Sequence, residues 1–212
     1  MKKIAALLLW LTIEIDRYWT FLIWHLIFKE KYIVSKKNLV NSSLLKLELG
    51  GGETPRLKYE NYLNVDTRSL PEVDININFK DDITEKFASD SVSAVYSRHM
   101  LEHLAYYEIP DFLSSLAEIT FENGIIEIIV PSINYHIFQR LLFSHDTKSY
   151  NHALAGFHGW QRCENQGYWD VHKSSFTKSD LVAFISSVKT DQDVFFKPTS
   201  LKNIHLIWIL KK

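Results

Sequence analysis

The chain is predicted to fold as an α/β domain. Its sheet is mainly parallel with an antiparallel closing strand, and a hydrophobic helical segment precedes it. Three features predict this. Short apolar runs alternate with stretches of helical spacing from Leu44 onward. The first run ends in Gly50-Gly51-Gly52, a sharp turn of the kind that follows a buried strand. The last two runs flank a short turn containing Pro198, as the members of a strand pair do.

The elements follow in order. Two apolar blocks, IAALLLWLTI and YWTFLIWHLIF, lie between Ile4 and Phe28, separated by Glu14, Asp16 and Arg17. A signal peptide needs a small-residue cleavage site, and EIDRYW follows the first block instead. As a membrane span, the 13 Leu, Ile and Phe residues contribute about −4 to −8 kcal/mol, while the three central charges cost about 8–10. Glu14 and Arg17 can pair at i,i+3 and soften that cost, so spanning is marginal to unfavourable. The remaining reading is a helix, or a broken pair, lying on something apolar. Trp10, Trp19 and Trp24 suit an interface with one wet side. A membrane surface, the chain's own domain and a second copy of the chain are all open as that apolar partner. The polar stretch 29–43, KEKYIVSKKNLVNSS, reads as a linker. The expected division is a helical segment over 1–36 and a main domain over 40–212.

In the main domain, LLKLEL (44–49) is a buried parallel strand. NYLNVD (61–66), VDININF (73–79) and VSAVYS (92–97) are the next three. MLEHLAYYEIPDFLSSLAEI (100–119) has helical spacing, with Pro110 kinking it or starting a second helix. Asn123-Gly124 is a turn, and IIEIIV (125–130) is a fifth strand stopped by Pro131. Residues 132–172 read as irregular, aromatic and His-rich. Thr177 caps a helix running to 188, with Asp180 three residues on. DVFFK (193–197) and IHLIWIL (204–210) close the sheet.

Composition narrows the function. A net charge of −1 gives no electrostatic reason for nucleic-acid binding. The single cysteine, Cys163, excludes an intrachain disulfide or a Cys-rich zinc site. Of seven glycines, three sit in the one turn at 50–52. Ligands of open α/β sheets bind beyond the carboxyl ends of the strands, so this turn is where a ligand can approach the backbone. Asp66, ending the second strand, is placed to accept hydrogen bonds from ribose hydroxyls. The dinucleotide pattern G-x-G-x-x-G fails at Pro55, which disfavours a nicotinamide cofactor. A nucleoside cofactor without a pyrophosphate fits better, and a tight turn with no ligand is the bland alternative.

These residues resemble class I S-adenosylmethionine-dependent methyltransferases, in particular a small bacterial type associated with surface-glycan biosynthesis. The matching segments are LELGGG…NYLNVDTRSLPEVDIN (47–76), DDITEKFASDSVSAVYSRHMLEHL (81–104), ENGIIEIIVPSI (122–133) and HKSSFTKSDLVAFI (172–185). The resemblance implies a Rossmann-like sheet and S-adenosyl-L-methionine as cofactor. It implies that Glu48, Gly50, Gly51 and Gly52 surround the methionine part and that Asp66 binds the ribose. Asp82 would reach the adenine amino group with Ile83 beside it, and Ser97 would border the cofactor. The sequence departs from the family at Gly51, where a cysteine is common, and at Glu53-Thr54-Pro55, where another glycine is common. It also lacks the acidic residue usual near Ser93.

Methyl transfer to a hydroxyl calls for a base near neutral pH, and histidine is suited to that role. His99, just beyond the fourth strand, and His172, before the capped helix, are the expected catalytic residues. His103 reads as a structural anchor. His99 and His103, spaced i,i+4, would share a helix face, but H-M-L-E-H is not the H-E-x-x-H order, and no metal is assigned. The aromatic 132–172 stretch is expected to cover the crevice. The acceptor is read as the O or N of a small polar molecule, such as a sugar of a surface glycan. The competing reading is a catalytically silent relative serving as a membrane-associated or complex subunit. The expected location is the cytoplasm, with peripheral membrane contact through residues 4–28. A homodimer is the alternative use of that segment.

Overall fold

The computed structural model describes residues 2–40, 43–142, 147–160, 170–189 and 191–212. The strands are β1 (Leu45–Leu49), β2 (Leu63–Asp66), β3 (Ile75–Asn76), β4 (Val92–Arg98), β5 (Thr120–Pro131), β6 (Asp193–Phe196) and β7 (Asn203–Ile209). Among the described residues these seven form one sheet in the order β3-β2-β1-β4-β5-β7-β6. The first five are parallel, and β7 runs antiparallel to both β5 and β6. The expected α/β class, parallel sheet and closing strand pair are all present. Strand order reverses between β1 and β4, which opens a crevice beyond their carboxyl ends.

Alternation along each strand divides the sheet into two faces. Leu47, Leu49, Val95, Ile126, Ile128, Leu206 and Trp208 point into the larger core. There they meet α3 (Ile109–Ile119) and α6 (Lys178–Val188), whose Leu113, Leu116, Leu181 and Ile185 are buried. The Thr177–Asp180 capping box starts α6: Thr177 Oγ1 accepts from Asp180 N at 3.2 Å, and Asp180 Oδ2 accepts from Thr177 N at 2.7 Å.

The opposite face carries Ala94, Ile125, Phe195, Ile207 and Ile209. No α-helix follows β1, β2 or β3 among the described residues; these connections hold only single turns, Lys58–Glu60 after β1 and Ile83–Glu85 after β3. The N-terminal segment covers this face instead. It is one helical run: α1 (Lys2–Ile23), a π-helical turn (Trp24–Phe28) and α2 (Lys29–Val40). The wide turn keeps Trp24, Phe28 and Tyr32 over one spot. Phe28 stacks on Phe195 at 4.6 Å and Trp24 lies 5.8 Å from the same ring. Tyr32 Oη donates to Glu127 Oε1 at 2.7 Å, and His205 Nε2 lies 2.9 Å from Glu127 Oε2. Lys31 pairs with Asp193, and Lys178 with Asp16.

Several expectations are corrected. The helical run extends to Val40, past the expected end at 36 and through most of the stretch read as a linker, because Tyr32 and Leu39 pack into the second cluster. The third strand is only Ile75–Asn76; Asn78, Phe79 and Lys80 belong to a loop. The helix expected from Met100 is a single 3₁₀ turn, Leu101–His103, and α3 begins later with Pro110 in its first turn. The fifth strand begins at Thr120; Asn123, at φ +65°, and Gly124 form an irregularity inside it rather than a separating turn. The described part of the stretch after β5 is mostly helical rather than irregular: α4 (Ile133–Leu142) and α5 (Thr147–His158) pack on each other. His145, Arg162, Cys163, Tyr168 and Trp169 lie outside the described residues.

Candidate active site

The glycine turn follows β1 directly. Gly50 (φ +73°) and Gly52 (φ +57°) adopt the left-handed conformation that glycine enters without strain. A Cβ on Gly50 would lie 2.8 Å from Met100 Cβ, so the chain leaving β4 packs straight onto the turn. Asp66 ends β2 with its side chain buried. Its Oδ2 accepts from Gly52 N at 3.0 Å, and its Oδ1 accepts from Arg68 N at 2.9 Å. The Arg68 guanidinium lies over the same carboxylate, Nε at 3.1 Å and Nη2 at 3.2 Å.

Gly50, Asp66, His99 and His172 line one cavity of about 590 Å³ beyond the strand ends. That is within the usual range for a small-molecule site. The other expected site residues lie outside its lining. Glu48 is buried on the far side of the sheet, where its two oxygens accept from Arg56 N (2.9 Å) and Leu57 N (2.8 Å). A Cβ on Gly51 would strike Asn64 Oδ1 at 2.4 Å, and one on Gly52 would strike Arg68 Nη2 at 2.3 Å. Asp82 caps the turn at Ile83–Glu85, its Oδ1 accepting from Thr84 N and from Ser115 Oγ, both at 3.0 Å. The Thr84 backbone hydrogen bond, aided by the Thr84 and Ser115 side-chain bonds, holds its pKa below the ordinary carboxyl range. Ile83 is in the main core, and Ser97 is buried with its hydroxyl unpartnered among the described residues.

Asn78, Phe79 and Lys80 line the cavity and were missed. Reading the third strand through Phe79 hid them. Ending it at Asn76 would have placed them just past a strand's carboxyl end, where ligands bind.

At the end of β4 the chain reaches His99 in the left-handed region, φ +53°, with its N–H donating to Ile129 O at 2.9 Å. A histidine held there is strained, a condition concentrated at functional sites. No helix joins His99 to His103. The 3₁₀ turn between them points Glu102 inward, 1% exposed. His99 Nδ1 bonds Glu102 Oε1 at 3.0 Å. The Glu102 carbonyl accepts from Lys173 N (2.8 Å) and Ser174 N (3.1 Å), which draws the segment holding His172 onto the site. His172 Nδ1 donates to Gly156 O at 3.1 Å, and its Nε2 lies 3.9 Å from Glu102 Oε1. His103 Nδ1 donates to Val171 O at 3.2 Å, and its ring meets His172 edge-on at 5.1 Å. Burial alone would raise the Glu102 pKa. The His99 hydrogen bond and the nearby imidazoles outweigh it, leaving the carboxyl below its ordinary range. Burial pushes the His172 pKa down.

Helices α4 and α5 form the roof. His136, from α4, is buried against Gly156 and lies 5.5 Å from His152 of α5. Burial, then the neighbouring imidazoles and Lys202, lower the His136 pKa to about 4. Arg68, Lys80, Arg98, Lys173 and Lys202 line the cavity against Asp66 and Asp170, so its walls are predominantly basic. The arrangement offers a glycine-and-aspartate end and an imidazole–carboxylate end facing one space.

No family model matches the sequence, and no curated protein matches it. Solved structures do match in fold. A SAM-dependent methyltransferase from Archaeoglobus fulgidus aligns with TM-score 0.53 at 12% identity, covering 88% of this chain and 99% of that one. A SAM-dependent methyltransferase from Methanosarcina mazei aligns with TM-score 0.51 at 13% identity, over 84% and 97%. An O-methyltransferase family protein from Burkholderia thailandensis aligns with TM-score 0.52 at 11% identity, over 92% and 59%. The chain spans only about half to three-fifths of the length of several matched proteins. The fold is thus the Rossmann-like fold of S-adenosylmethionine-dependent methyltransferases.

Proposed function

We propose that this protein is an S-adenosylmethionine-dependent methyltransferase acting on an oxygen or nitrogen of a small polar acceptor. The observation that carries this is the shared cavity: the Gly50 turn and Asp66 at one end, His99 bonded to Glu102 at the other. The residues fit the cofactor in kind. A buried carboxylate at the end of β2 can take ribose hydroxyls, and only glycine leaves room between β1 and Met100. Arg68 has to swing off Asp66 for those hydroxyls to reach it. Bound there, the cofactor supplies an electrophilic sulfonium methyl group.

His99 is assigned as the base. Its Nδ1–H is held by Glu102, which leaves Nε2 to receive a proton, and its side chain is 38% exposed beside the cavity. With a hydroxyl acceptor, His99 Nε2 would take the hydroxyl proton as the acceptor oxygen receives the methyl group. Most of the rate then comes from holding the two reactants at attack distance. The basic walls favour an acceptor carrying negative charge, such as an acidic sugar of a surface glycan.

Calorimetry of the full chain with the cofactor tests the reading. Binding is expected in wild type, a loss of about 100-fold or more in Asp66→Ala, and retention in Arg68→Ala. Absence of binding in wild type overturns it. That result favours the silent-relative reading, for which Arg68 lying over Asp66 is the supporting observation.

The proposal extends to location. Ile4, Leu7, Leu8, Leu11, Ile15 and Tyr18 are exposed along one stripe of α1, spaced i, i+3, i+4 and i+7. No helix among the described residues is long and apolar enough to cross a membrane. A stripe of this kind, flanked by Trp10 and Trp19, suits peripheral contact with the cytoplasmic membrane face.

A further inference from the structure

We propose that Glu102, His103 and His172 hold a divalent transition-metal ion beside the cavity. One donor atom from each of the three lies within 4.8 Å of the others. A tetrahedral ion with bonds of about 2.0–2.2 Å places its donors about 3.4 Å apart. Side-chain shifts on the order of an ångström therefore close the site.

The hydrogen bonds around the rings set the donors. A carbonyl oxygen only accepts, so the bond to Val171 O fixes the proton of His103 on Nδ1, and the bond to Gly156 O does the same for His172. Both Nε2 atoms then carry lone pairs. Imidazoles that bind metal are commonly anchored this way, by the ring nitrogen remote from the ion. The carboxylate gives an independent sign. Glu102 Oε1 is bonded to His99, whereas Oε2 is buried and has no partner among the described residues. A buried carboxylate oxygen left bare is costly. A structural anchor would need only the bonds already made, whereas a cation supplies the one that is missing.

Two imidazole nitrogens and one carboxylate oxygen select zinc, iron(II), cobalt(II) or manganese(II) over magnesium and calcium, which prefer all-oxygen sets. His103 and His172 line the cavity, so a coordination position stays open to water or to an acceptor oxygen. Next to His99, such an ion would lower the pKa of a bound hydroxyl. Only this last role rests on the methyltransferase reading. The set differs from the His99–His103 pair considered from the sequence, because His99 faces Glu102 and supports the site from outside.

The test uses the full chain, stripped with a chelator and titrated with cobalt(II) and zinc(II) without cofactor. One ion per chain is expected, with visible cobalt d–d absorption. His103→Ala and His172→Ala should each weaken binding by about 100-fold or more, and His99→Ala by about 10-fold, as a residue that orients a ligand does. His25→Ala, on the exposed N-terminal run, should bind like wild type. Circular dichroism establishes that each variant is folded. If Glu102→Gln does not fold, the two histidine variants carry the test. A wild-type chain that takes up no ion at millimolar concentration overturns the proposal, as does affinity unchanged in both His103→Ala and His172→Ala. Failure of the cofactor to bind leaves this outcome untouched, so the two readings fail separately.

Discussion

Gly50 shows how much one position can carry. Its φ of +73° and its closeness to Met100 both require the missing side chain. Gly50→Ala should cost about 1–2 kcal/mol from the left-handed backbone alone, with more from the clash. A lower urea midpoint and weakened cofactor binding are the expected readouts. The glycine turn and Asp66 could be read from residue order, since both fall at the ends of recognisable strands. Glu102 could not. Written as H-M-L-E-H, it looks like one exposed acid on a helix. Its importance comes from a left-handed His99 and a 3₁₀ turn that rotate it inward, and neither leaves a mark in composition. For Asp82 the family resemblance implies a cofactor contact, and the fold adds a second job: its Oδ1 caps the turn at Ile83–Glu85 by accepting from Thr84 and Ser115.

Among the elements, the N-terminal helical run does work that crossover helices usually do. With no α-helix after β1 or β2 among the described residues, one sheet face would be bare. Trp24, Phe28 and Tyr32 cover it, and Tyr32 locks the contact through Glu127. Tyr32→Phe removes a hydrogen bond to a buried carboxylate and should cost about 1.5–3 kcal/mol, measurable by urea denaturation. Burial opposes ionisation of Glu127, but the His205 and Tyr32 hydrogen bonds prevail and its pKa is lowered. The unfolded chain therefore binds the proton more readily than the folded one. The stability this group contributes is present above the ordinary carboxyl pKa and is lost as pH falls through the lowered folded value. Wild type should lose stability on acidification through that window, and Glu127→Gln should lose less. The stretch 29–43 reads as a linker because it is basic and polar. Tyr32 and Leu39 are too few to form a visible stripe, and only their docking site identifies them.

For the molecule as a whole, the same helical run has two unlike parts. The region from Trp24 onward belongs to the core, whereas the stripe from Ile4 to Tyr18 faces outward. Removing residues 1–18 takes away the Asp16–Lys178 pair and part of the packing of α1 on α4 but keeps Trp24, Phe28 and Tyr32 on the sheet, so the sheet should stay folded with modest loss of stability. Removing 1–36 uncovers Ala94, Ile125, Phe195, Ile207 and Ile209, and losing one buried aromatic alone costs about 3–5 kcal/mol against a total of about 5–15. That truncation should aggregate. Co-sedimentation with anionic vesicles should pull down the full chain but not the chain lacking 1–18. A concentration-dependent dimer with no vesicle binding would instead assign the stripe to a second copy.

The order of strands and helices was legible from the amino-acid pattern. Buried parallel strands are short apolar runs, and a capping box or a glycine turn is local chemistry. The glycine-and-aspartate end of the cavity was partly legible for the same reason, since Gly50 and Asp66 sit at strand ends. The imidazole–carboxylate end was not. It joins Glu102, His103 and His172 across about seventy residues through bonds to Gly156, Val171, Lys173 and Ser174. Those bonds exist only once residues 171–174 lie beside the turn that follows β4. The same holds for the surface under α2. A helix with two apolar anchors is unremarkable until a bare sheet face lies beneath it. Periodicity records what each element does alone, and long-range packing settles which buried groups come to share a partner.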